Sequence, residues 1–149
     1  MERSLIILKP DAVQRGLIGP ILGRLEQRGL KIIGLKLMQI DETLARQHYA
    51  IHEGKPFFAG LVQYIVSGPV VVIAVADRNA IQIVRTMVGA TNPVQAAPGT
   101  IRGDYGLEIG RNLIHASDSP ENGEEEVARF FTDAELLSYG RSNDRWIYE

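Results

Sequence analysis

The chain has no cysteine. Disulfide scaffolds, thiolate zinc sites, iron–sulfur clusters and cysteine nucleophiles are therefore excluded together. Long apolar runs are missing too. The longest, Val70 to Ala76, falls far short of the roughly 20 residues that cross a bilayer. Only Leu5 to Leu8 precede Lys9 as an apolar stretch, too short for the core of a signal peptide, so a cytoplasmic location with no membrane partner is expected. Charge of one sign is lacking: 16 basic against 18 acidic residues leave a formal net charge of -2, and no global positive field draws in nucleic acid. The glycine patterns that cradle phosphates are absent. Gly29 and Gly34 have the first Walker spacing but are followed by Leu35, and no two glycines are separated by one residue. HExxH and other metal-ligand spacings do not occur, nor do the strand aromatics of an RNA-recognition sheet. A phosphate-handling protein of this sequence must hold its ligand with side chains.

What remains is ordinary for a globular protein: 149 residues, 45% apolar and 23% charged, enough for a single domain over residues 1–149 with its own core. Ser4–Leu8 reads as a short buried strand stopped by Pro10. Pro20–Arg28 reads as a helix, with Pro20 at its first position and Gly29 as its cap. A second strand is expected over 30–40 and a short helix over Thr43–Tyr49. Pro56–Val66 is a clearer helix, because Phe58, Leu61, Val62 and Ile65 recur at helical spacing. Val70–Val75, apolar at every position, is a central strand, and Asn79–Val88 a helix capped by Gly89. Residues 90–110, rich in Pro and Gly, read as a long functional loop. A short strand around Leu113–His115 follows. Then comes a helix over Pro120–Phe130 capped by Ser119, and a last turn opened by Thr132 and Glu135. Four strands with two long crossovers match an α+β, ferredoxin-like split β-α-β sandwich. Its four-stranded antiparallel sheet is covered by helices, with an inserted helix pair and a long loop before the last strand.

The chemistry gathers around His115. An ordinary imidazole has a pKa of about 6.5 and near neutral pH offers a free lone pair, able to attack phosphorus. Glu126 lies one helical turn before Phe130, so it can point inward and hold one ring N–H while the other nitrogen stays free. The long loop offers Thr91, Thr100 and Arg102 as anion ligands, and Arg85 sits on the shoulder of its helix's apolar stripe, half sheltered. Phe57, off the centre of its stripe, is a candidate rim aromatic on which a base could stack. Tyr49 could reach the site or cap a helix end. Taken singly, each residue has a blander reading: a satisfied histidine, a helix-end cation, a solvated loop charge. His48 and His52 are left with theirs.

Together the segments carry a resemblance. Lys9-Pro10-Asp11, His48-Tyr49 with Pro56-Phe57-Phe58, Ser67-Gly68-Pro69, Gly89-Ala90-Thr91-Asn92-Pro93, Pro98 to Asp104 and Gly110 to Ser119 resemble the nucleoside-diphosphate kinases, from about Glu2 to Glu149. The resemblance implies a ping-pong reaction in which His115 takes the γ-phosphoryl of a nucleoside triphosphate, usually ATP with Mg²⁺, and passes it to a nucleoside diphosphate. It implies that Glu126 and Ser117 orient His115. Arg85, Thr91 and Arg102 would hold the phosphates with Tyr49 nearby, Lys9 and Asn112 the ribose hydroxyls, and Phe57 and Ile109 the base. Mg²⁺ would be held through the phosphates and not by a protein metal site. It also implies a homo-oligomer, hexamer or tetramer, with no obligatory nucleic acid. Ser4 and Ile109 stand where threonine and valine are common in that family. A non-catalytic nucleotide- or nucleic-acid-binding module on the same fold is the alternative.

One geometric tension accompanies this reading. Asn112 and His115 would face opposite sides of a regular strand. Both reach one site only if Asn112 precedes the strand proper, which would set Lys9, at the end of the first strand, beside it.

Overall fold

The computed structural model describes residues Met1–Glu149. Four strands, β1 (Glu2–Leu8), β2 (Lys31–Met38), β3 (Val70–Asp77) and β4 (Ile114–Ala116), form one sheet in the order β2-β3-β1-β4. Every neighbouring pair is antiparallel. This is the split β-α-β arrangement expected, an α+β sheet covered by helices.

The sheet is buried on both faces, and strand alternation divides its side chains between two cores. Ile6, Leu8, Val71, Ile73 and Val75 join one cluster; Leu5, Ile7, Val70, Val72 and Ala74 join the other. The first face is covered by α1 (Pro10–Gln14), α2 (Ile18–Arg28), α5 (Ala80–Val88) and α6 (Ile101–Tyr105). The second is covered by α3 (Glu42–His48), α4 (Phe58–Val66) and α7 (Pro120–Phe130). β3, buried at all positions, is the central strand its composition requires.

Local signals set the helix ends. Gly29 closes α2 in the left-handed region at φ 100°. Asp41 accepts from the Leu44 N–H to open α3, and Ser119 accepts from the Asn122 N–H to open α7. Thr132 and Glu135 form a capping box over the short 3-10 turn Asp133–Glu135. No helix is long and apolar enough to cross a membrane.

Beyond shifts of one or two residues at other element ends, the structure differs from the sequence expectation in four places. Pro10 stops β1 and also starts α1, since a helix's first N–H has no partner to lose. α2 begins at Ile18, which puts Pro20 in its first turn, where the ring is still tolerated. The stretch 90–110 is not a structureless loop: it holds a 3-10 turn, Pro93–Gln95, and α6. α6 is too short to show a helical period, and only its cap, Thr100, marked it. The last strand begins at Ile114, because Leu113 has φ 73° and leaves the extended region.

Candidate active site

β4 carries His115 opposite Ile7 of β1. Its neighbours Ile114 and Ala116 point into the first core, so the imidazole projects to the other side of the sheet, toward α7. There Glu126 meets it: His115 Nε2 lies 2.9 Å from Glu126 Oε1. Ser117, completely buried, accepts from the Leu5 N–H at 2.9 Å and donates its hydroxyl to the same carboxylate oxygen at 2.7 Å. Burial works to raise the Glu126 carboxyl. The hydrogen bond and charge of His115 and the Ser117 hydroxyl outweigh it, and the group lies below the ordinary glutamate range. An ionised Glu126 fixes the Nε2–H tautomer and leaves the Nδ1 lone pair free.

The imidazole opens on a cleft of about 340 Å³. Lys9, Tyr49, Arg85, Thr91, Arg102, Asn112, His115 and Glu126 all line it. Lys9 Nζ donates to Asn112 Oδ1 at 2.8 Å, and Asn112 Nδ2 donates to the Thr91 carbonyl at 3.2 Å. Asn112 thus precedes β4 and lies beside Lys9 on the cleft side, as the tension in the sequence required. Lys9 is buried, not a surface charge. The Tyr49 hydroxyl is buried without a partner, and burial, then the charge of Glu126, pushes it up to about 12.

Arg102 is nearly sealed. Its Nε donates to the Asn112 carbonyl (3.1 Å), Nη1 to the Gly89 carbonyl (3.2 Å) and Nη2 to the Ile114 carbonyl (2.5 Å). Gly89 is required here: at φ 87° it turns its carbonyl toward Arg102, and a Cβ on it would come within 2.5 Å of Thr100 Oγ1. Thr100 itself corrects the sequence expectation. It caps α6, accepting from the Gly103 N–H, and does not line the cleft.

The cations of the cleft oppose one another. Burial first, then Arg102, pushes Lys9 down to about 8. Burial first, then Arg85, pushes Arg102 down to about 10. Like charges sheltered close together form a site that a polyanion relieves. His48, His115 and Glu126 offer ligand atoms within 4.8 Å of one another, yet the charges of Arg129 and Lys9 both bear on the His48 imidazole. A bare cation is disfavoured there.

Phe57 and Ile109 are not brought into the cleft. Both stand exposed beyond its lining, Phe57 with its ring 5.2 Å from that of the cleft residue His52. Sequence reasoning passed over His48, His52, Asp118 and Asp11. The His48 ring stands edge-on to His115 at 4.6 Å, and burial, then His115, pushes it down to about 3, so it is neutral. Asp118 and His52 line the cleft. Nothing in periodicity marks these contacts, because each arises between separate elements.

An imidazole oriented by a carboxylate, facing a cation-lined cleft on an α+β sheet, has the features of a protein that handles phosphate groups. The nucleoside diphosphate kinase family profile matches residues 2–136. The nucleoside diphosphate kinase of Roseiflexus sp. strain RS-1 is 75% identical over 149 residues, covering all of both chains. That of Archaeoglobus fulgidus is 56% identical over 149 residues, covering all of this chain and 99% of the other. The structure of a Halobacterium salinarum nucleoside diphosphate kinase in complex with CDP superposes with a TM-score of 0.97 at 53% identity, covering 99% of each chain. The chain belongs to the nucleoside diphosphate kinase family, and its activity is that of a nucleotide-directed phosphotransferase.

Proposed function

We propose that His115 carries the phosphoryl group. Its Nδ1 lone pair attacks the terminal phosphorus of a nucleoside triphosphate. The Nδ1–P bond forms as the P–O bond to the β-phosphate breaks, and the nucleoside diphosphate leaves with the electron pair. A second nucleoside diphosphate takes the group back by the same path. The observation that carries this is the His115–Glu126 pair at 2.9 Å, open to a cleft that holds Lys9, Arg85 and Arg102. Glu126 keeps the Nε2 proton through both halves and balances the charge the ring gains on phosphorylation, while Ser117 holds the carboxylate in place. Transfer of this kind needs position and positive charge more than covalent machinery.

The remaining roles follow the chemistry of each side chain. Arg85, Thr91 and the free edge of Arg102 take the phosphates, and the unpartnered Tyr49 hydroxyl donates nearby. Lys9 and Asn112, already joined, present donors to the ribose hydroxyls. Phe57 and Ile109, apolar and exposed, hold the base between them. A base held by stacking alone is not read at its edges, so purines and pyrimidines serve alike. This agrees with the CDP bound by the Halobacterium salinarum relative.

Mg²⁺ fits this donor set through the nucleotide. Of the two carboxylates in the cleft, Glu126 is taken by His115 and Ser117, and Asp118 accepts from the Asn122 amide. Mg²⁺ prefers phosphate oxygens and water to such a site, and bound there it neutralises charge on the phosphates. We propose further that residues 1–149 work as one domain, in the cytosol where the nucleotides are, as a hexamer or tetramer. Leu35 and Leu37 on the edge strand β2, with Val94 and Leu107, supply exposed apolar surface for subunit contact.

The test is incubation with γ-labelled ATP and Mg²⁺. Acid-labile, base-stable label is expected on His115 and none in His115→Ala. Unchanged labelling of that variant overturns the assignment, and nucleotide binding without any label leaves only a binder.

A further inference from the structure

Leu113 is the one non-glycine residue of the chain at positive φ, 73°. The Ile114 N–H donates to the Asn112 carbonyl at 2.8 Å, which closes a three-residue γ-turn over Leu113. With a positive central φ this turn is rare and strained, and a branched side chain makes it worse. It is also what the site depends on. In a regular strand Leu113 and Ile114 would face opposite sides, yet both are completely buried in the same core cluster. That extra turn of the chain brings the Asn112 amide and the His115 imidazole into one cleft.

Strain of this kind persists only where the surroundings hold it. The Leu113 carbonyl accepts from the Lys9 N–H at 2.8 Å, and the Asn112 carbonyl from Arg102 Nε at 3.1 Å. The Leu113 N–H, which the turn points out of the sheet, donates to Asp11 Oδ2 at 3.1 Å. The other oxygen of Asp11 accepts the Tyr64 hydroxyl, from α4. Two cations lie over the Tyr64 ring, Lys9 Nζ at 5.5 Å and the Arg111 guanidinium at 4.7 Å from its centroid. Asp11 therefore ties α1, α4 and the turn before β4 together, without lining the cleft.

We propose that Asp11, held by Tyr64, is a positioning residue for the transfer: its carboxylate clamps the Leu113 N–H and keeps Asn112 and His115 in register with one nucleotide. This rests on the reading of His115 as the phosphoryl carrier. Without the carboxylate the turn relaxes toward an extended strand, and the Asn112 side chain swings away from Lys9. Asparagine at position 11 still offers an oxygen to the Leu113 N–H, so it should largely preserve the geometry.

The experiment measures phosphorylation of His115 in single turnover, with Mg-ATP and with Mg-2′,3′-dideoxy-ATP. Misplacement by about an ångström costs on the order of 100-fold. Asp11→Ala is expected to slow phosphorylation by ATP about 10–100-fold. It is also expected to narrow the preference for ATP over the dideoxy analogue, since that preference reads the Lys9–Asn112 pair. A merely structural role would not change sugar preference. Asp11→Asn should retain both rate and preference to within a few fold. Tyr64→Phe, which removes only the hydroxyl, should move both in the direction of the alanine variant by a smaller factor, and it keeps the proposal open to refutation if Asp11→Ala does not fold. Wild-type label on His115 with equal rates and equal sugar preference in Asp11→Ala, or in Tyr64→Phe where the alanine variant is unfolded, overturns the clamp alone. A wild-type protein that takes no label overturns the reading of His115 and the clamp with it.

Discussion

Arg102→Lys keeps the charge and removes the fork, and the structure says what that costs. The guanidinium of Arg102 gives three bonds to main-chain carbonyls, those of Asn112, Gly89 and Ile114. A lysine ammonium has three donors but all on one nitrogen, which cannot reach all three carbonyls set around a planar fork. One or two charge-assisted bonds are lost. Such bonds contribute about 1.5–3 kcal/mol each, and orphaned carbonyls are costly in a buried site. The Asn112 carbonyl keeps a second donor, the Ile114 N–H, which softens its loss. A total of about 2–4 kcal/mol follows from these terms. For a chain of this size each kcal/mol moves Tm by about 2–4 °C, so a fall of roughly 5–15 °C is expected. Arg85→Lys is the control. Its one recorded bond is to the Ala116 carbonyl, at a long 3.4 Å, so its loss should change stability by no more than about 0.5 kcal/mol. Both variants should bind ADP more weakly, because each loses a planar donor pair for phosphate. Thermal unfolding of the two, with and without ADP, separates the terms. Equal Tm values for the two variants would refute the argument that Arg102 is a structural brace as well as a phosphate ligand.

Lys9 predicts a pH dependence whose sign can be worked out. Its folded value of about 8 lies below the ordinary 10.5, so the unfolded chain binds more protons between those limits. The penalty of the buried charge is fully present below pH 8 and disappears above 10.5. Stability should therefore rise with pH across that window relative to Lys9→Met, while ADP affinity falls as the ammonium is lost; denaturation at pH 7.5 and 10 with no difference in slope between the two proteins contradicts this. Phe57→Ala should weaken ADP and CDP alike, by about 1–3 kcal/mol of lost stacking, leaving unfolding temperature nearly unchanged because the ring is half exposed. Calorimetric titration that finds one base affected and the other not would point to edge recognition.

Much of this architecture was legible in the amino-acid order. The all-apolar run Val70–Val75 could only be a central strand, and β3 is buried throughout. Ser119, Thr132 with Glu135 and Gly29 mark helix boundaries by local hydrogen bonds that need no tertiary context. The pairing of His115 with Glu126 was legible as well, from the helical spacing that sets Glu126 one turn before Phe130. α6 was not, since a five-residue helix shows no period. Nor was the start of β4, because a leucine at φ 73° contradicts its own local preference.

Sequence by itself determined the periodicities, the caps and the inventory of groups able to attack or bind phosphate. These depend on neighbours along the chain, and short-range sterics decide them. Tertiary structure alone decided that Arg102 would brace three carbonyls as well as face the cleft. It alone buried the Tyr49 hydroxyl without a partner, and set Asp11 to hold the turn before β4. Each of those facts joins atoms from two or three elements far apart in the chain. The energies involved, desolvation of charge and completion of buried hydrogen bonds, exist only once the elements have packed.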